Sequence, residues 1–157
     1  KTLLKANKVE GLELSKKPYH AKAIFMDDHQ TFELGNRPVR IVHVPGHTTG
    51  SVVYLDPASG LMFTGDDVNP YLWLQLPGCK SISEWLPGAK TILEFAKDYI
   101  PYCGHGDGKL FKDDIAKTVA LGEEILEKKP EFKGKALDYP FDKSVFPRIL
   151  VARKGIR

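Results

Sequence analysis

Three times along the 157 residues, a run of strand-favouring side chains ends in a tight glycine turn that carries one residue able to bind a metal ion. The first segment is His43-Val44-Pro45-Gly46-His47-Thr48-Thr49-Gly50-Ser51, the second Phe63-Thr64-Gly65-Asp66, and the third Tyr102-Cys103-Gly104-His105-Gly106. A sheet holds residues at strand ends firmly, and glycine lets the backbone turn sharply and approach an ion closely. Histidine and aspartate suit zinc and related divalent cations. Each string alone says little, because a histidine beside a glycine is commonly a hydrogen-bonded turn residue and Thr-Gly-Asp is a frequent turn. The order of the three, and what lies between them, is the stronger constraint.

Between them the pattern reads as strands and then helices. Thr31–Leu34 alternates and is followed by the turn Gly35-Asn36. Val39–Val44 is β-branched, and Ser51–Leu55 reads as a buried strand. Asp56-Pro57-Ala58-Ser59-Gly60 has turn chemistry, and Leu61–Thr64 reads as the partner strand. Further upstream, residues 1–21 are Lys-rich and weakly patterned, and Ala23–Met26 is a short apolar run. Ser81 and Glu84 fit a capping box ahead of Trp85, Ala89, Ile92, Leu93 and Ala96 at helical spacing, with Pro87 able to move the helix start to its own position. Tyr99–Cys103 reads as a strand. Asp113 or Asp114 is placed to cap a second helix with Ile115, Val119 and Leu126 on one face. Residues 130–147 read as loop, and Ile149–Ala152 as a last strand. Alternating strands and helices in the second half indicate an α/β fold.

The string from Val44 to Asp67 resembles the third and fourth motifs of the metallo-β-lactamase superfamily, and Cys103-Gly104-His105-Gly106 resembles its last motif. The resemblance covers about residues 30–110. It implies part of an αββα sandwich, a mixed sheet with flanking helices, forming a single domain over 1–157. It also implies a two-metal site at the sheet edge. Carried over, His47 binds the first metal, Asp66 bridges both and is the catalytic candidate, and His105 binds the second. Two divalent ions are implied, zinc first, with manganese or iron as alternatives. The implied reaction is attack of metal-activated water on a small-molecule ester, thioester, lactone or phosphoester. The family's His-x-His-x-Asp-His motif has no counterpart here, so the chain is expected to be a truncated, C-terminal portion of such a hydrolase, with weak metal binding and no useful activity by itself. Asp66 stands where the commonest zinc β-lactamases carry a cysteine, which favours a broader hydrolase. A non-catalytic binding or assembly module of the same fold is the alternative, with homo-oligomers formed through exposed sheet surface.

The other polar and aromatic residues carry plainer expectations. His43 suits a hydrogen-bonding role, and His20 and His29 the surface. Thr48 and Ser51 stabilise the turn around His47, and Asp67 bonds locally. Tyr71 and Trp73 either wall a substrate pocket or anchor the core. The 130–147 segment either covers the site as a lid or packs across the sheet. A net charge of +3 with dispersed Lys and Arg gives no nucleic-acid footprint. No apolar run reaches the roughly 20 residues that span a bilayer. Cys79 and Cys103 are expected as free, buried thiols, and the low cysteine content makes the cytoplasm the default compartment.

Overall fold

The computed structural model describes residues 27–131, 136–140, 147–152 and 155. The upstream readings, on residues 1–21 and Ala23–Met26 and on His20, lie outside them. Among the described residues the first sheet has five strands: β1 (Thr31–Glu33), β2 (Pro38–His43), β3 (Val52–Asp56), β4 (Leu61–Gly65) and β6 (Ile100–Cys103). β1 to β4 run as an antiparallel meander, and β6 adds parallel to β4 after a crossover. A second sheet has three strands in the order β5 (Tyr71–Leu74), β8 (Arg148–Ala152), β7 (Ala136–Pro140). Two helices, α1 (Ile82–Phe95) and α2 (Lys112–Lys128), complete a mixed α/β architecture of the expected class.

Side-chain alternation explains where the core sits. Val53 and Leu55 on β3 and Met62 on β4 point inward, while Tyr54 and Phe63 point outward. The inward residues join Trp85, Ala89 and Ile92 of α1, Ile115, Leu121 and Ile125 of α2, and Leu72, Ile149 and Val151 of the second sheet in one buried cluster. The outward residues form an aromatic row on the sheet's far face. Phe32 meets Tyr54 edge-on at 6.4 Å, Tyr54 pairs with Phe63 in register, and Phe63 lies 6.1 Å from Tyr102. Among the described residues no helix is long and apolar enough to cross a membrane.

Three sequence readings are corrected, and the start left open for the first helix is decided. α1 begins at Ile82, not at Pro87, which lies inside it. The Glu84 carboxylate accepts the Ser81 amide at 3.0 Å and the Ser81 hydroxyl at 2.7 Å. That capped start and the burial of Trp85 and Leu86 outweigh the one amide Pro87 lacks. α2 is entered from Phe111, with Asp113 and Asp114 in its first turn instead of at the cap. There they oppose the positive end of the helix dipole. The segment read as loop over 130–147 contains β7, which pairs with β8 from Ala136↔Ala152 to Pro140↔Arg148. Cys79 and Cys103 are free as expected, but half-buried instead of buried.

Arg37 fastens the β3–β4 turn. Its Nε donates to Asp56 at 2.7 Å, its Nη2 also binds that carboxylate, and the Ser59 hydroxyl donates at 2.6 Å. The guanidinium and then the hydroxyl hold Asp56 down at about 2, against an ordinary 3.8. A depressed carboxylate contributes stability that is complete above the unfolded value and is lost as pH falls through the folded one. Acid unfolding followed by circular dichroism should therefore show wild type losing stability between those two values. Arg37→Ala should show a smaller loss over the same window.

Candidate functional site

The bend at the end of β4 is where the site begins. The β4–β6 register shifts between Phe63 and Gly65, so that Gly65 pairs with Cys103. Buried Thr64 ties the turn down, donating to the Val68 carbonyl at 2.9 Å and to the Tyr102 carbonyl at 3.2 Å. The chain then presents Asp66 outward and Asp67 inward, with side-chain exposure of 42% for Asp66 and residue exposure of 1% for Asp67.

His47 arrives from the end of β2. Its loop is closed by the Val44 amide on Ser51 (3.0 Å) and the Gly46 amide on Thr48 (3.0 Å). Ser51 Oγ accepts from the Thr48 amide at 3.0 Å, the turn-stabilising role expected of both residues. Gly46 is needed for a close approach: a Cβ there would stand 2.3 Å from Trp85 and 2.7 Å from Asp67. His43 also does what was expected, its Nε2 pairing with the Thr49 carbonyl at 2.9 Å. His29 is exposed in a turn with φ +60°.

His105 comes from the loop after β6. The Gly104 amide donates to the Gly65 carbonyl at 2.8 Å, which clips this loop directly to the Asp66 turn. The three strand-end residues therefore converge. His105 Nε2 lies 3.0 Å from Asp66 Oδ1, and His47 Nε2 lies 3.9 Å from Asp66 Oδ2. Each imidazole faces a different oxygen of one carboxylate. A Cβ on Gly104 would stand 2.6 Å from Asp66 Oδ1. Gly104→Ala should thus push that oxygen out of line with His105 and weaken zinc binding, read by calorimetric titration. Its cost in melting temperature should be small, because the displaced carboxylate is the free end of a half-exposed side chain.

Hydrogen bonding sets the tautomer of His47. Its Nδ1 lies 2.7 Å from the Trp73 carbonyl, which can only accept, so Nδ1 carries the proton. In the neutral ring Nε2 then carries the lone pair on the side of the Asp66 carboxylate, and a histidine fixed through its other nitrogen is the usual metal-binding arrangement. The donor set fits a divalent ion in kind. In number it is open: among the described residues no group of three or more His, Cys, Asp or Glu is gathered to hold an ion. Each of two ions would see one imidazole and one carboxylate oxygen, where catalytic zinc commonly has three protein ligands plus water.

Two contributions to the site were not expected from sequence: the Asp67 carboxylate and the Trp73 backbone carbonyl. Asp67 Oδ1 accepts the His47 amide at 2.7 Å, while the Asp67 carbonyl accepts Trp85 Nε1 at 2.9 Å. Burial pushes this carboxyl up to about 6, opposed chiefly by the His47 amide. Its Oδ2 is buried with no hydrogen-bond partner. Nothing in the Asp66-Asp67 string tells which of the two turns inward; the bend in β4 decides it. The Trp73 contribution is a backbone carbonyl, which no side-chain pattern can announce.

The trio opens onto a cavity of about 540 Å³, lined also by Pro70, Tyr71, Trp73 and Leu76 and by Asp107 and Lys109. Of the two readings of Tyr71 and Trp73, the pocket wall is the one the structure shows. The core anchors of β5 are Leu72 and Leu74.

Residues 8–105 match the family model of the metallo-beta-lactamase superfamily. A hydroxyacylglutathione hydrolase of Chelativorans sp. (strain BNC1) is 27% identical over 85 residues, covering 51% of this chain and 31% of that protein. A probable polyketide biosynthesis zinc-dependent hydrolase of Bacillus subtilis (strain 168) is 47% identical over 45 residues, 29% of this chain and 19% of that protein. The solved structure of the DIM-1 metallo-beta-lactamase exposed to ceftazidime aligns with a TM-score of 0.54 at 28% identity, over 78% of this chain and 52% of that one. The matched segments thus span under a third of those two relatives and about half of that structure.

Proposed function

This chain belongs to the metallo-β-lactamase superfamily, and from that premise we propose that it carries one side of a divalent-metal hydrolase site, with His47, Asp66 and His105 as its metal-binding residues. The supporting observation is the meeting of both imidazoles on the two oxygens of Asp66 at the mouth of the cavity. Zinc is the proposed metal, on the strength of the His and Asp donors and of the zinc-dependent relative. The relatives named as hydrolases make a carbonyl substrate the first choice: an ester, thioester or lactone.

Bound divalent ions would supply a water deprotonated near neutral pH and a charge to stabilise the developing oxyanion. The chain's own residues do the rest. His47 offers Nε2 because the Trp73 carbonyl holds the proton on Nδ1. The Asp67 carboxylate fixes the His47 backbone from below. Asp66 presents one oxygen to each histidine, and the clip between Gly104 and Gly65 sets the separation of the two loops. With two donors per ion, turnover calls for further ligands beyond the described residues.

The test is hydrolysis of a thioester and lactone panel by the zinc-supplied protein in its complete form, alongside His105→Ala. Chelation and the substitution should each remove turnover; full turnover in His105→Ala would overturn the assignment. A second reading, a non-catalytic assembly module, draws on the outward row of Tyr54, Phe63 and Ile100, which are 39%, 41% and 61% exposed. It gains if turnover is absent and the protein self-associates with rising concentration.

A further inference from the structure

The outward face of β5 lines the cavity, and it is braced by β7 and β8. Alternation along Tyr71–Leu74 sends Leu72 and Leu74 into the core and leaves Tyr71 and Trp73 on the cavity side. Trp73 is 42% exposed and Leu76 40%, an apolar surface turned to the cavity. The two rings meet edge to face, 6.0 Å apart at 84°.

The brace comes from β7 and β8. Asp138 accepts Arg148 Nε at 2.9 Å and Nη2 at 2.8 Å, a two-point contact. The same carboxylate accepts the Tyr71 hydroxyl at 3.3 Å, and the Arg148 guanidinium lies 5.9 Å from the Tyr71 ring centre. The Arg148 amide donates to the Pro70 carbonyl at 2.9 Å, so the brace and the wall share a strand pairing. Trp73 is also the residue whose carbonyl sets His47. Lys109, also in the cavity lining, lies 3.6 Å from Asp107, which offsets its charge. The surface that Tyr71, Trp73 and Leu76 give to the cavity is apolar, a poor match for a phosphoryl or otherwise charged substituent.

We propose that Tyr71, Trp73 and Leu76 form the specificity wall of this site for an apolar acyl group, and that Asp138 and Arg148 are the positioning pair that holds the wall in place. This rests on the hydrolase reading for its substrate class, but its test does not need turnover. Of the protein's two tryptophans only Trp73 lines the cavity, so ligand-dependent changes in emission that are lost in Trp73→Phe report this wall.

The probes are linear primary amides from butanamide to octanamide, titrated against the metal-free protein. Affinity should rise roughly fourfold per added methylene, the factor for burying each CH₂. An equal series of ω-carboxylated amides should show no such rise. Asp138→Asn and Arg148→Met should flatten the chain-length dependence and shift Trp73 emission, and Arg148→Lys should restore part of both. A purely structural loss would not sort probes by length. Equal affinity across the wild-type series would overturn the wall, and an unchanged slope in folded Asp138→Asn and Arg148→Met would overturn the pair. Absence of turnover in the zinc-supplied protein in its complete form, with the slope intact, would count against the hydrolase reading and leave the wall standing.

Discussion

Asp66→Ala should abolish the coupling between His47 and His105 while leaving the fold intact. Its carboxylate is half-exposed, and both imidazoles face it, one on each oxygen. Removing a hydrogen-bond partner behind a metal-binding residue costs about 10–100-fold in metal affinity. Removing a shared ligand should cost more than that, so zinc affinity is expected to fall by over two orders of magnitude by calorimetry. Surface substitutions away from packed features stay within about ±0.5 kcal/mol of stability. The melting temperature of Asp66→Ala should accordingly match wild type, separating a site effect from a folding effect.

Trp85→Ala should be the most destabilising single change in the described core. Trp85 is fully buried, its ring floors the Gly46 turn, and its Nε1 is bonded to the Asp67 carbonyl. Truncating a buried aromatic to alanine costs about 3–5 kcal/mol, and leaving a buried carbonyl unpaired adds about 1–3 kcal/mol. Set against a typical domain stability of about 5–15 kcal/mol, that is enough to unfold much of the population. Urea unfolding should show a large drop in midpoint, with Trp85→Phe falling between alanine and wild type. Because the same ring supports Gly46 and Asp67, any folded Trp85→Ala should also hold His47 less firmly.

The parts of this chain legible in its sequence are those where one physical signal dominates. β2, β3 and β4 show β-branched or alternating residues closed by good turn chemistry, and each appears within a residue or two of its expected bounds. His47, Asp66 and His105 stand out through the order of three strand-end glycine turns and what lies between them, and the structure brings them to one place. β5 was missed because Tyr-Leu-Trp-Leu shows no polar alternation: its core face and its cavity face are both apolar. β7 was missed because a half-buried edge strand ending in Pro140 looks like a loop, and only its pairing with β8 makes it a strand. Two starts were open for α1, the Ser81–Glu84 capping box and Pro87; the structure takes the capping box, with Trp85 and Leu86 buried ahead of the proline. Asp67 and the Trp73 carbonyl were illegible for a shared reason. Their contacts join residues far apart in the chain, and only the fold sets them.

Zinc titration of the protein followed through the histidine ring resonances in NMR would settle whether His47, Asp66 and His105 act as one cation site. Joint saturation of the His47 and His105 signals, no movement of His29, and loss of the response in Asp66→Ala are the expected results. Signals from His47 and His105 that do not move with zinc, or that move equally well in Asp66→Ala, would contradict it.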